Sequence, residues 1–157
     1  MRYWLMKTEP SVVGIDHVLA MPGKAVAWWG VRNYQARNFM RDQMRVGDKV
    51  LFYHSNCPEP GIAGLAEVSR LAYPDETQFD PDSPYFDPKA TRETPRWVNV
   101  DVKVTKKTRL IGLPEMRATP ALTRMRVLQR GNRLSITPVD PAEWSYIVDR
   151  LLRAAKG

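Results

Sequence analysis

Cysteine is nearly missing from this chain: among 157 residues there is one, Cys57. A single thiol builds neither a disulfide framework nor a thiolate zinc site, so the expected setting is a reducing one, the cytoplasm, or the nucleus if the source is eukaryotic. There is no Gly-rich phosphate loop, no Gly-x-Ser-x-Gly elbow and no His-Glu-x-x-His helix. The His-x-Glu and Cys-x-x-Cys pair of zinc-dependent base deaminases is also missing. No apolar run approaches the length of a membrane span. Residues 1–10 alternate apolar and charged side chains, Lys7 and Glu9 among them, and lack the unbroken apolar core of a secretory signal. No internal repeat, linker or shift of composition divides the chain, so one domain over 1–157 is expected.

What is present is an ordinary globular balance, 43% hydrophobic and 26% charged residues, with an excess of positive charge. The 24 Lys and Arg outnumber the 17 Asp and Glu, for a formal net charge of +7. An excess of this size on a small domain favours polyanionic partners, nucleic acid first, although a generally basic protein with no anionic ligand would share it. No membrane partner or cofactor is expected, and the oligomeric state is open.

The hydrophobic pattern predicts a strand at 3–6, a short helix at 15–19 and a helical stretch through Ala36, Phe39, Met40 and Met44. Arg32, Arg37, Arg41 and Arg45 follow at near four-residue steps, which can make a basic stripe. Strands at 49–55 and 62–71, joined through Pro58, Pro60 and Gly61, read as a hairpin. Residues 73–95 are rich in Pro and Asp and should form an ordered but irregular loop, because Tyr73, Phe79, Tyr85 and Phe86 argue against disorder. Strict alternation predicts a half-buried strand at 97–104. Helices are expected at 113–117, 121–129 and 141–152, with a short strand at 133–136. The mixed order points to an α/β protein of the α+β kind, with a curled, mainly antiparallel sheet and helices around it.

Several blocks resemble the EVE domain family. They are Tyr3-Trp4-Leu5-Met6-Lys7-Thr8-Glu9-Pro10, Trp29-Gly30-Val31-Arg32-Asn33-Tyr34-Gln35-Ala36-Arg37-Asn38 and Phe52-Tyr53-His54-Ser55-Asn56-Cys57, then Tyr85-Phe86-Asp87-Pro88, Pro95-Arg96-Trp97 and Arg133-Leu134-Ser135. They occur in the family's order and span nearly the whole chain. The resemblance implies a PUA-like fold, a small curved β-barrel flanked by short helices. It implies kinship with YTH domains, which hold a methylated adenine of RNA in an aromatic cage. It also implies binding of a modified base, notably modified cytosine, in DNA. DNA or RNA, the modification itself, and any nuclease or other partner stay open.

A base taken out of its stack needs π faces and hydrogen bonds to its edges. Trp28 and Trp29 are adjacent, so in an extended segment one joins the core and the other can line a cleft. Trp29 is chosen for the cleft because it opens a family-like block, and Trp97 is the second aromatic candidate; filling the core is the alternative for both. Asn33 can read a base edge or cap the helix that follows. Tyr53 and Ser55 share one face by alternation, with Ser55 near the strand's end, or they are ordinary strand polarity. Lys7 and Thr8 are candidates for a phosphate or base edge, and Arg32, Arg37 and Arg41 for phosphates; a solvated helix face is the bland reading of the arginines. Asp75, Asp80, Asp82 and Asp87 do not match an EF-hand loop and read as solvated or turn-forming. The rival classes are an enzyme using Cys57 with His54, for which no third orienting group is apparent, and a module for a nucleotide-like small molecule. The reading adopted is a non-catalytic one: a nucleic-acid module that reads a modified base of DNA or RNA, such as methylated or hydroxymethylated cytosine, in an aromatic pocket.

Overall fold

Six strands carry the architecture in a computed structural model, which describes residues 1–152. They are β1 (Tyr3–Thr8), β2 (Ala25–Ala27), β3 (Lys49–His54), β4 (Gly61–Pro74), β5 (Val98–Gly112) and β6 (Ile136–Val139). They form one sheet in the order β2-β5-β4-β3-β1-β6. The β1–β3 pair is parallel and the other neighbours are antiparallel. A parallel pair cannot be joined by a hairpin. Residues 9–48 make that crossover and carry β2 with the first three helices.

The strand period of two then sorts the core. Trp4, Met6, Val50 and Phe52 enter one apolar cluster, while Leu5, Leu51 and Tyr53 enter another on the opposite face. Both faces of the β1–β3 centre are covered, which explains why these strands read as nearly continuous apolar runs. Register shifts between Ile62 and Gly64, Leu65 and Ala66, Val68 and Arg70, and Arg70 and Tyr73 interrupt the β4–β5 ladder. Each such irregularity bends and twists its strand. The expected curved, mainly antiparallel sheet is therefore present, curled by these shifts, and its ladder is open, with β2 and β6 as edges.

The helices are short: α1 (Pro10–Val13), α2 (Ile15–Leu19), α3 (Tyr34–Asn38), α4 (Leu113–Arg117) and α5 (Pro141–Tyr146). The third and fifth continue as single π-turns, Phe39–Gln43 and Ile147–Leu151. The helix expected at 121–129 is instead two 3-10 turns, Pro120–Leu122 and Arg126–Leu128, separated by residues 123–125, where Met125 leaves the helical region (ψ 135°). Burial overrides propensity there, since Met125 is 2% exposed within the second apolar cluster. Among the described residues no helix is long and apolar enough to cross a membrane.

The irregular segment before β5 is held by buried polar groups. The amide of Gln78 is fully buried and uses its whole hydrogen-bonding capacity. Its Nε2 donates to the Asp75 and Trp97 carbonyls, and its Oε1 accepts from the Arg96 and Trp97 N–H groups. That amide ties the loop to the start of β5, so the segment is ordered without regular structure.

Candidate functional site

At the C-terminal ends of the parallel pair, the chain ends of β1 and β3 border a cavity of about 520 Å³. Ser55 N–H donates to the Thr8 carbonyl at 2.8 Å, and Lys7 N–H donates to the Ser135 carbonyl at 2.8 Å. These two bonds bring Lys7, Thr8, Ser55 and Ser135 to one rim of it. Val13, Val26, Trp28 and Val31, all from the first apolar cluster, also line it. A volume of this size is in the range of small-molecule sites and accommodates a nucleobase.

Trp28 and Trp29 do not divide cleanly between core and cleft: both line the cavity, and Trp29 also packs against the first apolar cluster. Trp28 is 6% exposed and meets Phe52 edge-on, with ring centroids 5.4 Å apart and planes at 82°. Trp29 is half-buried and lines the cavity. A second aromatic wall comes from Tyr85 in the irregular loop. Its placement requires Gly30, whose φ is +81°: a Cβ there would stand 2.9 Å from Tyr85 Cζ.

The segment 29–32 and the loop are joined through Asp75, whose side chain is 1% exposed. Asp75 Oδ2 accepts from Gly30 N–H at 2.8 Å and from Arg32 Nη1 at 3.1 Å. Its Oδ1 accepts from the backbone N–H and the hydroxyl of Thr77. Asp75 is thus buried and not solvated; it is turn-forming, as its acidic run suggested, since it caps the 3-10 turn Glu76–Phe79, and it also anchors Gly30 and Arg32.

Arg32 lines the cavity, yet all five N–H donors of its guanidinium are engaged elsewhere. Nε and Nη2 donate to the Tyr85 carbonyl, Nη2 also to Thr77 Oγ1, and Nη1 to the Val31 carbonyl and Asp75. The expected phosphate contact is corrected: Arg32 fixes Tyr85 and the loop.

Arg37 and Arg41 lie outside the cavity lining. Arg37 donates to Asn38 Oδ1 and the Arg96 carbonyl, and burial pushes its pKa down. Arg41 is clamped by both carboxylate oxygens of Asp42, which raises its pKa. The even four-residue stripe therefore does not act as one surface.

Two of the aromatic expectations are also corrected. Tyr53 is 2% exposed in the second apolar cluster, and burial above all pushes its phenol up to about 12. Ser55 lies beyond the end of β3, where strand alternation no longer applies, so it reaches the cavity without Tyr53. Trp97 is 5% exposed and does not line the cavity. Its indole N–H donates to Asp87 Oδ2 at 2.8 Å, which holds that carboxyl below its usual range.

Asn33 caps a helix and also lies at the cavity. Its Oδ1 accepts from Ala36 N–H at 3.0 Å and caps α3, and the residue lines the cavity. The amide NH2 makes no hydrogen bond to a described residue, so two donors remain for a ligand. Thr8 lines the cavity while its hydroxyl donates to the Val13 carbonyl at 3.0 Å. Lys7 lines it too; burial lowers its pKa, and its ammonium stands 5.9 Å from the Tyr53 ring centroid. Arg133 is exposed at the same cavity and forms no ion pair with a described carboxylate.

A second concavity, of about 490 Å³, contains His54, Cys57, Asp16 and Lys107. His54 Nε2 accepts from Ile15 N–H at 3.1 Å, so the lone pair a base would use toward Cys57 is already engaged. Burial also lowers the His54 pKa. Among the described residues no group of three or more His, Cys, Asp or Glu side chains is placed to hold a metal ion.

Comparison with known proteins gives a consistent picture. The EVE domain family model matches residues 2–150. Human thymocyte nuclear protein 1 is 40% identical over 93% of this chain and 72% of its own length. A hypothetical protein from Leishmania major has a structure similar to this one with a TM-score of 0.92, at 47% identity, covering 100% of this chain and 98% of that one. The human THYN1 protein in complex with DNA containing 5-methylcytosine gives a TM-score of 0.87 at 40% identity, covering 95% of this chain and 96% of that one.

Proposed function

Because this chain belongs to the EVE domain family, we propose that it binds DNA and takes one base out of the stack into the cavity, where it reads a modified cytosine. The observation that carries this is the pairing of Trp29 and Tyr85 as aromatic lining with the unused amide NH2 of Asn33 at the same cavity. A flipped base needs a π surface and donors or acceptors at its edge, and these residues supply both. The related human protein bound to 5-methylcytosine DNA supports the choice of base.

The apolar lining suits a 5-methyl group. Val13, Val26 and Val31 offer no hydrogen bond, so a methyl placed among them gains about 0.8 kcal/mol of burial, roughly a fourfold preference over plain cytosine. Lys7 and Arg133 are the cations at the cavity without a carboxylate partner among the described residues, and they take the place of Arg32 as phosphate contacts there.

The test is fluorescence anisotropy with labelled DNA and RNA oligonucleotides carrying cytosine, 5-methylcytosine or 5-hydroxymethylcytosine, together with the free nucleosides. The expected result is preference for a modified DNA probe and an affinity loss of about tenfold in Trp29→Ala, as stacking loss predicts. Equal affinity for every probe, with no effect of Trp29→Ala, would refute the reading. Tight binding of nucleosides with none of oligonucleotides would favour a small-molecule module. The binding is proposed to proceed without turnover; a product whose formation is abolished by Cys57→Ser or His54→Gln would establish an enzyme instead.

A further inference from the structure

Tyr34 follows Asn33 directly, at the first turn of α3, and its side chain is conspicuously open for so large an aromatic residue, at 51% exposure. One side of its ring is covered. Trp97 stacks on it at 4.8 Å between centroids and 26° between planes. The Arg37 guanidinium stands 4.6 Å from the same ring and 5.8 Å from Trp97. If Arg37 and Trp97 were on opposite sides of Tyr34, their separation would approach the sum of their distances to it. It is shorter, so Arg37 stands beside the stack and not opposite Trp97, and at 51% exposure part of the ring remains open. The ring is backed by a buried tryptophan.

Two guanidinium groups stand beside it, with Asp42 acting on Arg37 and Asp87 on Arg96 without forming an ion pair. Arg37 lies beside the ring, and Arg96 Nη1 reaches the Tyr34 hydroxyl at 3.4 Å. Neither arginine forms an ion pair with a described carboxylate. A partly open ring flanked by two guanidinium groups is the arrangement that holds a nucleobase together with its phosphate. An apolar protein partner would instead be opposed by the cost of covering both charges.

We infer that Tyr34 is a second stacking surface, which takes the base next to the cavity-bound one on the same DNA strand. This rests on the cavity reading above. Asn33 lines the cavity and Tyr34 is its neighbour in the chain, so the two positions are contiguous along the protein surface. Extruding one base leaves its neighbour without a stacking partner on one side, and Tyr34 supplies a replacement. Because every base has a π face, this contact adds affinity without choosing sequence.

The experiment uses single-stranded seven-nucleotide DNA with a central 5-methylcytosine, and the same strand with abasic nucleotides on both sides of it. Wild type, Tyr34→Ala, Tyr34→Phe and Trp29→Ala are measured on both probes. Tyr34→Ala should lose about tenfold on the natural strand and almost nothing on the abasic-flanked strand, while Tyr34→Phe should behave as wild type. The ratio of the two affinities on one protein cancels any loss of folded material. A Tyr34→Ala loss equal on both probes, or no loss on either, overturns the inference. If Trp29→Ala binds the abasic-flanked probe as wild type does, the cavity reading fails separately, whatever Tyr34 shows.

Discussion

Replacing Arg32 with alanine separates two uses of an arginine beside a binding cavity. The side chain is 22% exposed and its carboxylate partner 1% exposed. Its removal leaves Asp75 buried with an uncompensated charge, and strands the Tyr85 carbonyl that both Nε and Nη2 address. Breaking a buried pair by deleting one partner typically costs about 3–5 kcal/mol, and the partial exposure of Arg32 places this case near 3 kcal/mol. For a chain of this length that lowers the melting temperature by roughly 6–12 °C. A phosphate contact would leave a different trace. It would contribute about 0.9 to the slope of log affinity against log salt on duplex DNA. The expected outcome for Arg32→Ala is therefore a clearly lowered melt, weaker binding through loss of the Tyr85 wall, and a salt slope equal to wild type. The assays are differential scanning calorimetry and anisotropy titrations across a salt series. An unchanged melt together with a slope shallower by about 0.9 would refute the reasoning and restore Arg32 as a phosphate ligand.

Trp97→Ala should lower stability by about 3–5 kcal/mol, since it empties a buried site and removes the indole bond to Asp87; chemical denaturation measures this, and a near-native midpoint would contradict its structural role. Gly30→Ala should cost at least about 1 kcal/mol through its left-handed φ alone and should also push Tyr85 aside, so the melt and the modified-DNA affinity are expected to fall together. His54 has a folded pKa below its ordinary 6.5, so the folded state resists protonation there and stability should fall as pH drops below that value toward the folded pKa. Denaturant midpoints at neutral and acidic pH for wild type and His54→Gln check this: the variant should lose less on acidification, and an equal loss would remove His54 as the cause.

The strands that carry a strong period were legible in the sequence, whereas the place of Trp29 at the cavity was taken from the family-like block that it opens. Tyr3–Thr8 and Lys49–His54 are bulky and β-rich enough that no other structure fits them. β2 was not legible because three residues, Ala25–Ala27, carry too little alternation. The helix expected at 121–129 failed for a different reason, a tertiary one: Met125 turns inward and breaks the local pattern. At the site, Trp29, Asn33, Ser55, Lys7 and Thr8 were picked from family-like blocks and local order together, and they come together at one cavity. Tyr53 and Trp97 were misplaced because strand alternation tells which face a residue takes, not what covers that face. Tyr85 and Gly30 were present in family-like blocks, but only their contact across the fold shows that they form one wall.

The arginines carry the larger lesson about charge. A net charge of +7 suggests a phosphate-binding surface, and near four-residue spacing suggests a stripe. Yet Arg32 uses every donor internally and Arg41 is neutralised by its neighbour Asp42. A guanidinium suits such work because its planar fork satisfies several carbonyls and a carboxylate at once, and it does not deprotonate when half-buried. A loop without regular structure has many carbonyls to satisfy, so the need for arginine beside this cavity is structural before it is electrostatic. It follows that the family-like block from Trp29 to Asn38 serves two ends within ten residues. Trp29 and Asn33 face the cavity, whereas Gly30 and Arg32 hold the loop that borders it. A substitution in the second pair should therefore impair binding indirectly, by loosening Tyr85, whereas a change in the first pair removes a group at the cavity itself.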